Sequence, residues 1–282
     1  MPGSATLDTV EQVPCVPKPD ALLEVQGVRK RFGGLMAVDV DGLQVQRGSI
    51  TALIGPNGAG KSTFFNVISG FDRADEGSWS FSGTSITGMR AHRIARLGMV
   101  RTFQLTKALA RMSVLDNMKL GAPGQVGERI LPSLFPGRWR VQEREIQEQA
   151  LELLERFRLI DHRNAYAGTL SGGQRKLLEM ARALMARPAM LLLDEPMAGV
   201  NPALVESLLV HIREVAASGT TVLFVEHDMD VVMGISDWVV CMGLGKVIAE
   251  GRPSHVCADP KVVDAYLGTA HDEPGYGGPN GS

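Results

Sequence analysis

The sequence predicts an α/β fold built around a parallel β-sheet, and three observations carry that prediction. Ile50-Thr-Ala-Leu-Ile54, Met190-Leu-Leu-Leu-Asp194 and Thr220-Thr-Val-Leu-Phe-Val225 are short, continuous apolar runs. Strands that alternate apolar and polar residues keep one face in water, whereas continuous runs suit strands covered by helices on both faces. The first run leads directly into a glycine-rich loop, and the other two stop abruptly at acidic or His residues. Between the runs lie helical patterns, clearest in residues 139–157, where apolar groups recur at helical spacing among many charges. Such an amphipathic helix between strands is the alternation from which parallel sheets are built.

The rest of the chain follows from the same reading. Residues 1–21 carry several prolines and no hydrophobic period, which predicts a flexible N-terminal tail. The Gly/Pro-rich residues 271–282 predict a second loose tail, leaving a domain over 22–270. Residues 121–138 hold three prolines and four glycines and predict a loop ahead of the amphipathic helix. No internal repeat is visible, which argues against two tandem copies of one unit.

Composition narrows the function classes. Of 282 residues, 44% are hydrophobic and 21% charged, an ordinary globular balance that excludes wholesale disorder. A net charge of −2 gives no electrostatic reason to bind nucleic acid. Cys15, Cys241 and Cys257 form neither a C-x-x-C pair nor a His/Cys cluster, so zinc and a disulfide framework are not expected. No apolar run reaches the roughly 18–20 residues that span a bilayer. The start lacks the basic and apolar regions of a signal peptide, so a soluble chain is expected, any membrane work passing through another subunit.

The loop Gly55-Pro56-Asn57-Gly58-Ala59-Gly60-Lys61-Ser62-Thr63 has the form G-x-x-x-x-G-K-[ST]. Triphosphate carries dense negative charge, which backbone N–H groups can meet if the loop is free of side chains. Gly55, Gly58 and Gly60 allow that approach. Lys61 is placed to reach the β- and γ-phosphates, the Ser62 hydroxyl to ligate Mg²⁺, and a helix beginning near Lys61 to aim its positive end at the phosphates. Leu170-Ser171-Gly172-Gly173-Gln174 supplies a hydroxyl and glycine amides at a helix start. That is an anion site and equally an ordinary helix N-cap. Asp194 and Glu195 close the second apolar run, and His227 follows the third.

These motifs in this order resemble the ATP-binding cassette (ABC) ATPases over residues 23–268, nearly the whole chain. The resemblance implies a P-loop (RecA-like) ATPase core with an antiparallel β subdomain and an α-helical subdomain inserted at about 105–175. It implies ATP and Mg²⁺ as cofactors, with Asp194, Ser62 and Gln104 on the metal side and Glu195 as the general base that orients water. His227 matches the switch histidine at the γ-phosphate, and Gln104, in Arg101-Thr-Phe-Gln, the flexible glutamine that meets the membrane partner. Phe32 matches the aromatic stacked on adenine, with core packing as its rival role. Ser171, Gly172, Gly173 and Gln174 match the signature that closes a partner subunit's ATP site, and Asn201 falls where the chain crosses the dimer.

Within the family, several strings resemble the LivG-type ATP-binding subunits of branched-chain amino-acid importers. They are Phe32-Gly-Gly-Leu-Met-Ala-Val38, Arg101-Thr-Phe-Gln104, Ala198-Gly-Val-Asn-Pro202, Glu226-His-Asp-Met229 and Asp264-Ala-Tyr-Leu-Gly268. The implied partners are integral-membrane permease subunits, a second ABC ATPase subunit and, indirectly, an extracytoplasmic solute-binding protein. The implied place is the cytoplasmic face of the membrane. Urea-importer and lipopolysaccharide-export ATPases share parts of the pattern, so urea or another solute stays open. A non-transport ABC regulatory ATPase and a P-loop kinase or GTPase are the readings from other classes.

Overall fold

The computed structural model describes residues 6–102, 107–124 and 136–268. Two sheets organise it. Strands β1 (Ala21–Phe32) and β2 (Leu35–Gln46) form a long antiparallel hairpin turning at Gly33-Gly34. On the other side of β1, β4 (Glu76–Phe81) pairs antiparallel and carries the short β5 (Thr84–Ser85). The second sheet has six strands in the order β10-β9-β3-β8-β7-β6. They are β3 (Ile50–Ile54), β6 (Met99–Arg101), β7 (Met190–Asp194), β8 (Thr221–Val225), β9 (Trp238–Gly243) and β10 (Lys246–Gly251). All of its pairings are parallel except β9 with β10.

The helices are α1 (Lys61–Ile68), α2 (Ala91–Arg96), α3 (Lys107–Ala110), α4 (Val114–Leu120) and α5 (Pro136–Arg156), followed by α6 (Gly172–Leu184), α7 (Pro202–Ala217), α8 (Met229–Ile235), α9 (Pro253–Ala258) and α10 (Pro260–Gly268). The amphipathic helix read from residue 139 begins at Pro136, a residue suited to a first helical turn because its missing N–H has no partner there anyway.

The continuous apolar runs have a direct cause. Successive side chains of a strand point to opposite faces. Ile50, Ala52, Ile54, Leu191, Leu193, Val222 and Phe224 enter one core with residues of α4 to α8. Leu53, Met190, Leu192, Leu223 and Val225 enter a second core with Phe64 and Phe65 of α1 and Leu23, Val25 and Val40 of the antiparallel sheet. The central sheet is therefore buried on both faces, but the second face is covered by α1, α2 and the four-stranded sheet, not by helices alone.

The N-terminal segment departs from the expected flexible tail. Residues 6–20 are packed along the domain. Leu7, in the short 3₁₀ turn Thr6–Thr9, is buried in the second core. The Lys18 ammonium is buried 2.5 Å from the Glu250 carboxylate and 4.2 Å from the centre of the Trp238 ring, whose Nε1–H also donates to Glu250. The Cys15 N–H donates to the other Glu250 oxygen, and Arg252 pairs with Asp8. Single anchors of this kind need no periodicity, which is why the pattern of residues 1–21 misled. The expected C-terminal tail, 271–282, lies outside the described residues.

Lys18→Ala would leave the Glu250 charge buried without its counterion. Breaking a buried pair in this way costs about 3–5 kcal/mol. A urea unfolding curve should register that loss at constant slope. A loss below about 0.5 kcal/mol, the range of ordinary surface substitutions, would mean that residues 6–20 do not hold this place in solution.

Candidate nucleotide site

The glycine loop leaves β3 at Gly55 and enters α1 at Lys61. Two of its glycines are sterically obligatory. A methyl group on Gly55 would sit 2.2 Å from the Met242 carbonyl oxygen, and one on Gly60 2.2 Å from that of Ala37. Both have positive φ, 144° and 93°. The close approach at Gly60 brings β2 against the loop, and Gly245 joins it by donating to the Ala59 carbonyl. Ala59 is buried under the loop and its N–H returns to the Pro56 carbonyl, while Asn57 and Gly58 are exposed at the crest.

Lys61 is buried, and its ammonium donates to the carbonyls of Gly55 (2.6 Å) and Pro56 (2.9 Å). Burial lowers its pKa, opposed by the nearby Glu195 charge. The ammonium is thus held by the loop it would serve, with two carbonyls in the place of anionic oxygens. Ser62 is exposed and Thr63 half-buried in the first turn of α1.

Asp194, Glu195 and His227 come together because β7 and β8 are parallel neighbours with Asp194 in register with Val225. Their C-terminal ends present all three residues at one edge of the sheet, where the loop after β3 also emerges. Glu195 has φ 44°, a left-handed conformation rare for a side-chain-bearing residue. Its N–H donates to the Val225 carbonyl and its own carbonyl accepts from Ala198, so the turn holds the conformation. The Glu195 side chain is exposed. His227 is 63% exposed at its side chain.

A cleft of about 820 Å³ runs between α1, the end of β7 and α6, and Ser62, Arg101, Gly172, Lys176, Asp194 and Glu195 line it. Phe32 stands at the tip of the β1–β2 hairpin with half of its surface exposed, and the Lys30 ammonium lies 5.0 Å from its ring centre. That exposure disfavours the core-packing role.

Ser171 caps α6 in a capping box, its hydroxyl accepting from Gln174 N–H while its own N–H donates to the Gln174 side chain. The Gln174 amide also meets the His162 ring at 3.0 Å. Gly173 packs against Leu204, and Gly172 faces the Gly199 carbonyl, so the start of α6 abuts the turn leading to Asn201. Gln104 lies outside the described residues.

Two further residues belong to this site and were not picked out from the sequence. Arg101 donates to Asp194 at 2.6 Å and to Asn66 at 2.7 Å, with its guanidinium near the rings of Phe65 and Phe71. Glu226, 1% exposed, accepts from the N–H groups of Met197 and His227, which ties the turn after Glu195 to the end of β8. Burial raises its pKa, with the two backbone donors and His227 opposing. In the sequence each is only the first residue of a family-resembling string, Arg101-Thr-Phe-Gln104 and Glu226-His-Asp-Met229, with no role of its own.

Residues 38–198, more than half of the chain, match the family model described as ABC transporter. The chain belongs to the ABC transporter ATPase family. A second model, described as branched-chain amino acid ATP-binding cassette transporter, matches residues 246–272 of this cassette. Among its relatives is a probable branched-chain amino acid transport ATP-binding protein LivG of Archaeoglobus fulgidus, 47% identical over 89% of this chain and 97% of that one. Another is the high-affinity branched-chain amino acid transport ATP-binding protein BraF of Pseudomonas aeruginosa, 41% identical over 88% and 98%. An ABC transporter cassette crystallised in its ADP conformation superposes with a TM-score of 0.77 at 41% identity, covering 88% of this chain and 99% of that one. A nucleotide-free cassette superposes with a TM-score of 0.76 at 40% identity, covering 87% and 98%. This cassette is a nucleotide-binding, ATP-hydrolysing subunit, and the kinase and GTPase readings fall away.

Proposed function

We propose that this cassette drives the import of branched-chain amino acids, working as one of a pair on an integral-membrane permease supplied by an extracytoplasmic binding protein. The observation that carries the solute assignment is the match of residues 246–272 to the branched-chain cassette model, and the names of the relatives agree with it. No helix among the described residues is long and apolar enough to cross a membrane, in keeping with attachment to the cytoplasmic face through the permease.

In this reading the loop 55–63 cradles the phosphates of ATP, and its exposed crest at Asn57 and Gly58 leading into the start of α1 at Lys61 supports that use. Lys61 exchanges its two carbonyl acceptors for β- and γ-phosphate oxygens. Ser62 and Asp194 fit Mg²⁺, since both line the cleft and this cation takes few protein ligands and completes its shell with phosphate oxygens and water. When bound, the cation supplies charge neutralisation to the phosphates.

Glu195 accepts the proton of the attacking water and orients it, His227 contacts the γ-phosphate, and Gln104 would stand on the Mg²⁺ and water side. Phe32 offers its exposed ring to adenine. Ser171, Gly172, Gly173 and Gln174 present the start of α6 to the ATP held by the other subunit.

The solute is tested by deleting the gene and measuring uptake of labelled leucine, isoleucine and valine in a strain without a second importer. Uptake should fall to background and return with the wild-type gene but not with Glu195→Gln. Unchanged uptake of all three would move the assignment to urea or another solute.

A further inference from the structure

The C-terminal helix α10 reaches the nucleotide loop. The hydroxyl of Tyr266 accepts the N–H of Gly55 at 2.9 Å, and its ring packs against the core beneath the central sheet. Gly55 is buried, and a buried N–H without a partner is costly, so this acceptor matters more than one at the surface. On the other side of the same residue, the Gly55 carbonyl accepts from the Lys61 ammonium. Gly55 is thus held by a donor and an acceptor from two different parts of the chain, with the Met242 carbonyl closing off a third direction.

The two contacts differ in what becomes of them. Once Lys61 turns to phosphate oxygens, the Gly55 carbonyl loses its donor at the moment the loop must keep its shape. The Tyr266 contact is made to the opposite group of Gly55, its N–H, and Lys61 takes no part in it. Burial pushes the Tyr266 phenol up to about 12, so the acceptor stays a neutral hydroxyl at physiological pH.

We propose that Tyr266 is a positioning residue of the nucleotide site, holding the Gly55 N–H from the C-terminal helix so that the loop keeps its binding shape when Lys61 releases the Gly55 and Pro56 carbonyls. The inference rests on the reading of residues 55–63 as the phosphate loop. It gives Tyr266, one residue of the stretch 246–272, a physical task in nucleotide binding beyond marking a branch of the family.

Tyr266→Phe keeps the ring and its packing and removes only the acceptor. Titration of the full-length chain with Mg·ADP should give a 2- to 12-fold weaker affinity, about the worth of one net hydrogen bond. Hydrogen–deuterium exchange should show faster exchange in the peptide spanning residues 53–60. Unchanged affinity, with or without a lower melting temperature, would reduce Tyr266 to an anchor for α10 and overturn the proposal. Weaker affinity with unchanged exchange at 53–60 would also overturn it, because the effect would then travel by another route. Lys61→Ala, titrated in parallel, separates the two claims. If it binds like wild type, the phosphate-loop reading fails. If it loses affinity while Tyr266→Phe does not, only the role of Tyr266 fails.

Discussion

Glu195→Gln is expected to retain ATP and lose hydrolysis by about 10²–10⁴-fold, the usual contribution of a positioned general base. The substitution is nearly isosteric, so it isolates the carboxylate. Glu195 owes its place to backbone geometry: φ is 44°, its N–H is held by Val225 and its carbonyl by Ala198. Gln meets the same left-handed penalty as Glu, so the turn and the fold should be unaffected. The neighbouring Asp194 carboxylate also remains, still paired with Arg101. What changes is the ability to take a proton from water. The blocked enzyme should then collect as an ATP-bound dimer, visible as an earlier peak in size-exclusion chromatography with ATP and absent with ADP. Single-turnover hydrolysis within a few-fold of wild type would remove Glu195 from the role of base.

Much of this site is legible in the sequence because its parts are contiguous. The run into Gly55, the loop to Thr63 and the Leu-Leu-Leu-Asp-Glu string each declare both a local structure and a chemistry within a few residues. The cover of the second sheet face is less legible, since a buried strand needs an apolar neighbour and does not say whether that neighbour is helix or sheet. Contacts that join distant positions leave no local trace. Arg101 and Asp194 meet across 93 positions, Lys18 and Glu250 across 232, and Gly55 and Tyr266 across 211. Arg101 looks like one charge at the end of a short strand, and only parallel pairing of β6 with β7 carries it to Asp194. The N-terminal segment is the sharpest case. Proline content and missing periodicity describe irregular backbone, and irregular backbone can still be anchored through a few side chains. Ser171 shows how one group can carry two readings: its hydroxyl oxygen accepts the cap bond from Gln174 N–H, which leaves its O–H as a donor beside the amides of the same turn.

Those amides lead to the second large effect. In the capping box Ser171 N–H and Gln174 N–H are taken, whereas Gly172 and Gly173, at the first two helical positions, have no partner within α6. Amides at a helix start, backed by the positive end of the helix, can serve as an anion site. If that site serves the ATP held by a second subunit, each active site needs Lys61 from one protomer and Ser171 from the other. Lys61→Ala and Ser171→Arg homodimers should then both be inactive, the first for want of a phosphate contact and the second because a bulky side chain blocks the start of α6. Mixing them should restore hydrolysis, since a mixed dimer pairs the intact Lys61 of one chain with the intact Ser171 of the other. With random pairing and independent sites, equal amounts should recover about a quarter of the wild-type rate, one intact site in half of the dimers. Losing the Ser171 cap costs roughly 1 kcal/mol, too little to unfold a domain of this size, and recovery on mixing would itself prove both variants folded. Two inactive variants that stay inactive when mixed, although they form mixed dimers, would place both residues in one site of one chain and overturn the composite arrangement.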